Sequence, residues 1–147
     1  MKKIGEEREM NMSQKFITQE LLSYIHEHLD EALSMDEIAK KFNYSKFYIA
    51  KVFKEETGST LYKYIQNKRL EKAAISLVET NKPIIEIAYE AQYGSPQAFT
   101  LAFRQEYSCA PQIYRKRYAL VLENKISISQ KVMSHLSHYT IEGRMVA

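Results

Sequence analysis

The chain repeats itself once, and that repeat limits its fold more than any other feature. Ile38-Ala39 is followed by Tyr44, Ser45, Ile49, Val52, Phe53, Lys54 and Glu56. Ile87-Ala88 is followed by Tyr93, Ser95, Phe99, Ala102, Phe103, Arg104 and Glu106. The offset is 49 before the turn and 50 after it, with Gly94 as the extra residue. A period of this size marks one supersecondary unit used twice. Each copy reads as a short helix, a tight turn and a longer helix. Two helices that cross steeply need a small residue at the crossing, here Ala39 and Ala88. The turn four residues on favours a residue that tolerates the left-handed region. Asn43 suits it, whereas Gln92 suits it poorly, at about 1 kcal/mol. Ile49 with Val52, and Phe99 with Ala102, then pack back on the first helix.

The remaining signals are helical too. Ile17, Leu21, Leu22, Ile25 and Leu29 recur at helical spacing, behind a polar stretch 1–14 read as a mobile tail. Ser34-Met-Asp-Glu37 is a capping box that opens a helix to about Phe42. Ser45 caps a helix to about Thr57, which Gly58 stops. A linker helix of about 19 residues runs from Leu61 to Glu79, with Ile65, Leu70, Ala73 and Leu77 as its stripe. Asn81-Lys82-Pro83 separates it from a helix over about 84–91. Ser95-Pro96 starts another that ends near Tyr107, and Pro111 opens a last short one to about Tyr118. Beyond it, Lys125–Ser129 alternates weakly and the rest of 119–147 has no firm period. Only 4 Gly and 3 Pro in 147 residues argue against an all-β sandwich or barrel. The predicted fold is all-α: two helix-turn-helix subdomains joined by a long linker helix, about seven helices in all.

Net charge is only +3, but it is unevenly spread. Residues 1–37 carry four Lys/Arg against nine Asp/Glu; residues 38–72 carry nine against three. A basic middle behind an acidic first helix is what a polyanion-binding face requires, although a solvated helical surface looks the same on charge alone. The single cysteine, Cys109, cannot form an internal disulfide, which fits a reducing cytosol. No apolar run is long enough for a membrane span, and residues 1–10 do not read as a signal peptide.

Residues 17–118 resemble the DNA-binding domain of the AraC/XylS family of bacterial transcription regulators, most of all its MarA/SoxS/Rob branch. The segments that carry the resemblance are LSMDEIAKKFNYSKFYIAKVFKEETG (33–58), YIQNKRLEKAAISL (64–77) and PIIEIAYEAQYGSPQAFTLAFRQEYSCAPQIYR (83–115). The chain departs from the family at Gln92, where Gly is usual, and at Ser108-Cys109-Ala110-Pro111, where Gly-x-Thr-Pro is usual. The resemblance implies a first unit over 15–60, a linker over 61–80 and a second unit over 81–118. Residues 119–147 are then a tail or the start of a truncated further domain. It also implies a transcription regulator, with activation the expected sign. Double-stranded DNA and RNA polymerase are the implied partners. The chain is expected to bind as a monomer, in the bacterial cytoplasm on the nucleoid, with no membrane and no cofactor.

In such a domain the second helix of each unit enters the major groove N-terminal end first. On the first of these helices Lys46, Phe47, Ala50 and Lys51 are the base-reading candidates. Lys51 can donate to guanine, and Phe47 and Ala50 can meet a thymine methyl. Phe47 could instead be a half-buried core aromatic, and the lysines merely solvated. On the second helix, Gln97 can read adenine and Thr100 a phosphate or a thymine methyl. Leu101 stands where relatives often carry a cation, so this unit is expected to clamp backbone more than it reads bases. The phosphate candidates are Ser45, Lys54, Lys68, Ser95, Arg104, Arg115 and Lys116, with Arg117 beside them. Arg69 is another, but relatives use an arginine there to tie the linker to the fold.

An enzyme would need a nucleophile, base or metal cluster, and the chain offers little. His26 and His28 cannot share a helix face. His135-x-x-His138 has no third ligand nearby. The competing reading keeps the fold and drops the nucleic acid: a helical protein-interaction module.

Overall fold

In the computed structural model, which describes residues 2–146, the chain forms seven helices. They are α1 (Lys2–Glu27), α2 (Met35–Phe42), α3 (Lys46–Thr57), α4 (Leu61–Glu79), α5 (Ile84–Glu90), α6 (Pro96–Tyr107) and α7 (Pro111–Val146). Among the described residues there is no strand.

Hydroxyl caps set the helix starts. Ser34, Ser45, Thr60 and Ser95 sit in extended backbone and each accepts a hydrogen bond from the amide three residues on. The two turns of the repeat close identically. The amide of Tyr44 donates to the Ala39 carbonyl, and that of Tyr93 to the Ala88 carbonyl, both at 3.1 Å. Asn43 and Gln92 occupy the left-handed region between them, at φ 63° and 65°. Gln92, poorly suited to that backbone, adopts it nonetheless. A left-handed residue also ends α3 and α6, Gly58 in the first case and Ser108 in the second.

The interior consists of two cores threaded on one helix. The first gathers Ile17, Leu21, Ile25 and Leu29 with Ile38, Ala39, Ile49, Phe53, Leu61 and Ile65. The second gathers Leu70, Ala73, Ala74 and Leu77 with Ile87, Ala88, Ala91, Phe99 and Phe103. The N-terminal turns of α4 therefore complete one unit and its C-terminal half opens the other. Phe53 and Phe103 are fully buried at corresponding positions. Phe53 meets Tyr64 edge to face at 5.4 Å; Phe103 meets Tyr114 the same way at 5.3 Å. The repeat thus extends past the helix-turn-helix into the first turn of the following helix.

One loop ties the units together. Between α1 and α2, three consecutive carbonyls accept side-chain donors: Leu29 from Arg69 Nε (3.0 Å), Asp30 from Gln92 Nε2 (2.6 Å) and Glu31 from an Arg69 terminal nitrogen (2.7 Å). The Asp30 carboxylate receives Lys72 at 2.7 Å.

Both ends differ from expectation. The segment 1–14, read as a tail, is helical from Lys2 onward. The last helix, expected to stop near Tyr118, continues to Val146, so the weak alternation at 125–129 is helix and not strand. The physical reason is the same at both ends. Extending a helix is far easier than nucleating one. The packed turns at Ile17–Ile25 and around Tyr114 supply nuclei. Residues 119–142 contain neither Pro nor Gly to stop propagation. On α7, Tyr118, Val121, Leu122, Ile126, Ile128, Val132 and Met133 are exposed and fall within roughly 160° of helix circumference.

Candidate nucleic-acid interface

Helix α3 has one face sealed and one open. Ile49, Val52 and Phe53 are fully buried, which turns Lys46, Phe47, Ala50, Lys51 and Lys54 outward. Phe47 is 88% exposed, so the alternative of a half-buried core aromatic does not hold. A phenyl ring left in water on a helix packed this tightly stabilises nothing in the isolated fold. Lys46 pairs with Asp36 at the start of α2, both groups being exposed, so the pair is weak and easily exchanged. Among the described residues Lys51 and Lys54 have no carboxylate partner.

Helix α6 repeats the arrangement with different chemistry. Phe99 and Phe103 are buried. Pro96, Gln97, Thr100, Leu101 and Arg104 line one shallow concavity on the outer side. Leu101 is 62% exposed, and Arg104 is the sole cation in that set.

The start of each helix is an anion-binding geometry in principle, since first-turn amides point outward. The hydroxyls of Ser45 and Ser95 are already used on the amides of Tyr48 and Ala98, both at 3.2 Å. That leaves the amides of Lys46 and Phe47 at α3. At α6, Pro96 has no N–H, and Gln97 alone remains in the corresponding pair.

Three of the cations expected at phosphate have other partners. Arg115 donates from Nε to the Leu77 carbonyl (2.9 Å) and from a terminal nitrogen to the Lys82 carbonyl (2.6 Å). It pins α7 to the end of α4, as Arg69 pins α4 to the end of α1, so two of its donors, expected at a phosphate, are occupied on carbonyls. Arg69 keeps the tying role, its guanidinium pKa lowered by burial. Lys68 bonds Glu71 at 2.9 Å, and that carboxylate holds its ammonium pKa up. Lys116 is exposed beside Arg115. Sequence reasoning missed the Lys72–Asp30 and Lys82–Glu90 pairs, because neither falls at helical spacing. His135 is exposed, and the side chain of His138 lies outside the described residues.

The family described as "Helix-turn-helix domain" matches residues 38–117. Regulatory protein SoxS of Salmonella typhimurium is 42% identical over 106 residues, covering 72% of this chain and 99% of SoxS. The chain belongs to the AraC-type helix-turn-helix family. Transcriptional regulator Rob of the same organism is 40% identical over 105 residues, 71% of this AraC-type chain but only 36% of Rob. Among solved structures, an AraC-type regulator from Chromobacterium violaceum superposes with a TM-score of 0.68 at 26% identity, covering 74% and 96% of the two chains. The DNA-binding domain of AdpA, solved with a target DNA, superposes at 0.65 with 25% identity, covering 69% and 91%. Beyond about residue 118, α7 therefore extends past the matched AraC-type domain. Among the described residues no helix is long and apolar enough to cross a membrane.

Proposed function

We propose that this AraC-type chain is a sequence-specific DNA-binding transcription regulator that reads two successive major-groove segments with α3 and α6. The observation that carries the reading is the outer face of α3. A bare phenyl ring stands beside Lys51 and Lys54, on a helix whose other side is fully buried. That composition suits a groove lined by thymine methyls, base-edge acceptors and phosphates. The relatives named as regulators, and the AdpA domain bound to its target DNA, support the same reading.

Lys46, Phe47, Ala50 and Lys51 are assigned to base edges from α3, and Gln97 and Thr100 from α6. Phosphates fall to Lys54, Arg104 and Lys116, with the amides behind Ser45 and Ser95. Lys68 can join them by exchanging Glu71 for a phosphate. Helix α4 spans about 28 Å at 1.5 Å per residue. One chain acting as a monomer then covers an asymmetric site of about 20 base pairs. RNA polymerase is the further partner proposed, with the bacterial cytoplasm as the place of action and activation as the sign.

The test is affinity against salt. Phosphate neutralisation by about six cations lowers affinity by roughly 10³-fold between 50 and 200 mM salt. A log–log slope shallower than about −2, measured by fluorescence anisotropy on any duplex, refutes the reading.

A further inference from the structure

We infer that Gln92 is a positioning residue that fixes the orientation of the second reading helix relative to the first unit. It thereby sets which spacing between two DNA segments the protein accepts. The inference rests on the DNA reading above.

Four side-chain contacts converge on the loop 29–31. Three of them come from Arg69 and Lys72 on α4, a helix already shared by both cores. The fourth is different. The amide of Gln92 reaches from the turn between α5 and α6 to the Asp30 carbonyl, 62 residues away in sequence. It joins unit one to unit two without passing through α4. Gln92 also lies three residues before Ser95, the cap of α6. A restraint there acts at the pivot of the reading helix.

The backbone at this position argues that the side chain has a use. At φ 65° a glycine is the favoured residue, and nothing about the turn itself calls for a long amide. The left-handed conformation faces the side chain across the inter-unit cleft, which Leu33, Tyr62, Arg69 and Tyr93 also line. The hydroxyl of Tyr93 is buried there with no partner among the described residues. Arg69 holds this cleft from α4 through the Leu29 and Glu31 carbonyls, the Tyr93 hydroxyl adds nothing, and Gln92 supplies the tie from the turn of the second unit. Glycine would relax the backbone and cut the tie. Asparagine tolerates the backbone, but its amide is one methylene short of Asp30.

The experiment compares the unaltered chain with Gln92→Gly and Gln92→Asn in two arms. The first arm needs no DNA. In a Cys109→Ser background, nitroxides on Glu55→Cys and Gln105→Cys, both exposed, report the α3–α6 distance distribution by pulsed electron resonance. Both Gln92 variants should broaden it, while the melting midpoint of Gln92→Gly stays the same or rises. The second arm uses a duplex selected by the unaltered protein from a randomised 30-base-pair pool. Single base pairs are then inserted or deleted between the two protected segments. The unaltered protein should discriminate against the altered spacings, and both variants should lose about three- to tenfold of that discrimination. Unchanged distributions and unchanged discrimination in either variant overturn the role of Gln92. Failure of the pool to enrich any sequence overturns the DNA reading, and the resonance arm still decides whether Gln92 holds the two units.

Discussion

Arg115 on α7 donates from Nε to the main-chain oxygen of Leu77 at the end of α4, across 2.9 Å. The bond closes the second unit in the way that Arg69 closes the first, although the two arginines are 46 positions apart in a repeat of 50. They sit one helical turn out of register, yet each places a fork of donors on two carbonyls at or just past the end of the helix that opens its unit.

Arg115→Ala should therefore destabilise the fold by about 2–3 kcal/mol, since it strips two carbonyls of charged donors. Denaturant unfolding reads this directly. The same variant should leave the salt dependence of DNA affinity unchanged, whereas Lys116→Ala should reduce the log–log slope by about one. A reduced slope in Arg115→Ala would return that residue to the phosphate contacts.

Phe47 and Phe103 should behave as opposites. Truncating the fully buried Phe103 to Ala should cost about 3–5 kcal/mol of stability. Phe47→Ala should change stability by less than about 0.5 kcal/mol and still weaken binding to a selected site. Thermal melts and anisotropy on the two variants separate the cases; a Phe47 variant that melts early would place the ring in the fold.

Lys51→Ala should lose discrimination at one base pair, worth about 1–3 kcal/mol, with little effect on random duplex. Neutralising Lys46 together with Lys51 should cost at least about tenfold more affinity for the cognate site than changing Gln97 and Thr100 to Ala, because α6 loses no charge. If the α6 pair proves costlier, base reading is concentrated in the second unit.

Tyr93→Phe should be neutral or stabilising by up to about 1 kcal/mol, since the hydroxyl is buried without a partner and its desolvation is unrecovered. A loss of more than about 1 kcal/mol in denaturant unfolding would mean that the oxygen has a partner in solution.

The local rules of helix starts and stops made most of this architecture legible. Ser34, Ser45 and Ser95 announce their helices by residue type, and Gly58 its stop, because capping is decided within four residues. The buried stripe of α4 was equally plain. Where the ends stop is harder to read: residues 1–14 carry no apolar period, and on α7 the one-sided set from Tyr118 to Met133 is masked by the local alternation at 125–129. Nor could spacing show which cations are occupied. Lys51 and Arg115 look alike in a sequence, and only packing reveals that one faces water and the other a pair of carbonyls. Gln92 stood out as an ill-suited turn residue, and that misfit was the one visible trace of its bond to Asp30.

Because α4 ends one core at Ile65 and begins another at Leu70, nearly all packing is local to stretches of about fifty residues. Chains built from such near-neighbour contacts fold fast and in separable pieces. Amides at the two ends of α4 should then exchange with solvent deuterium on different schedules, each tracking the opening of its own half. The two halves should then come apart only as the contacts of Arg69, Lys72 and Gln92 with loop 29–31 let go.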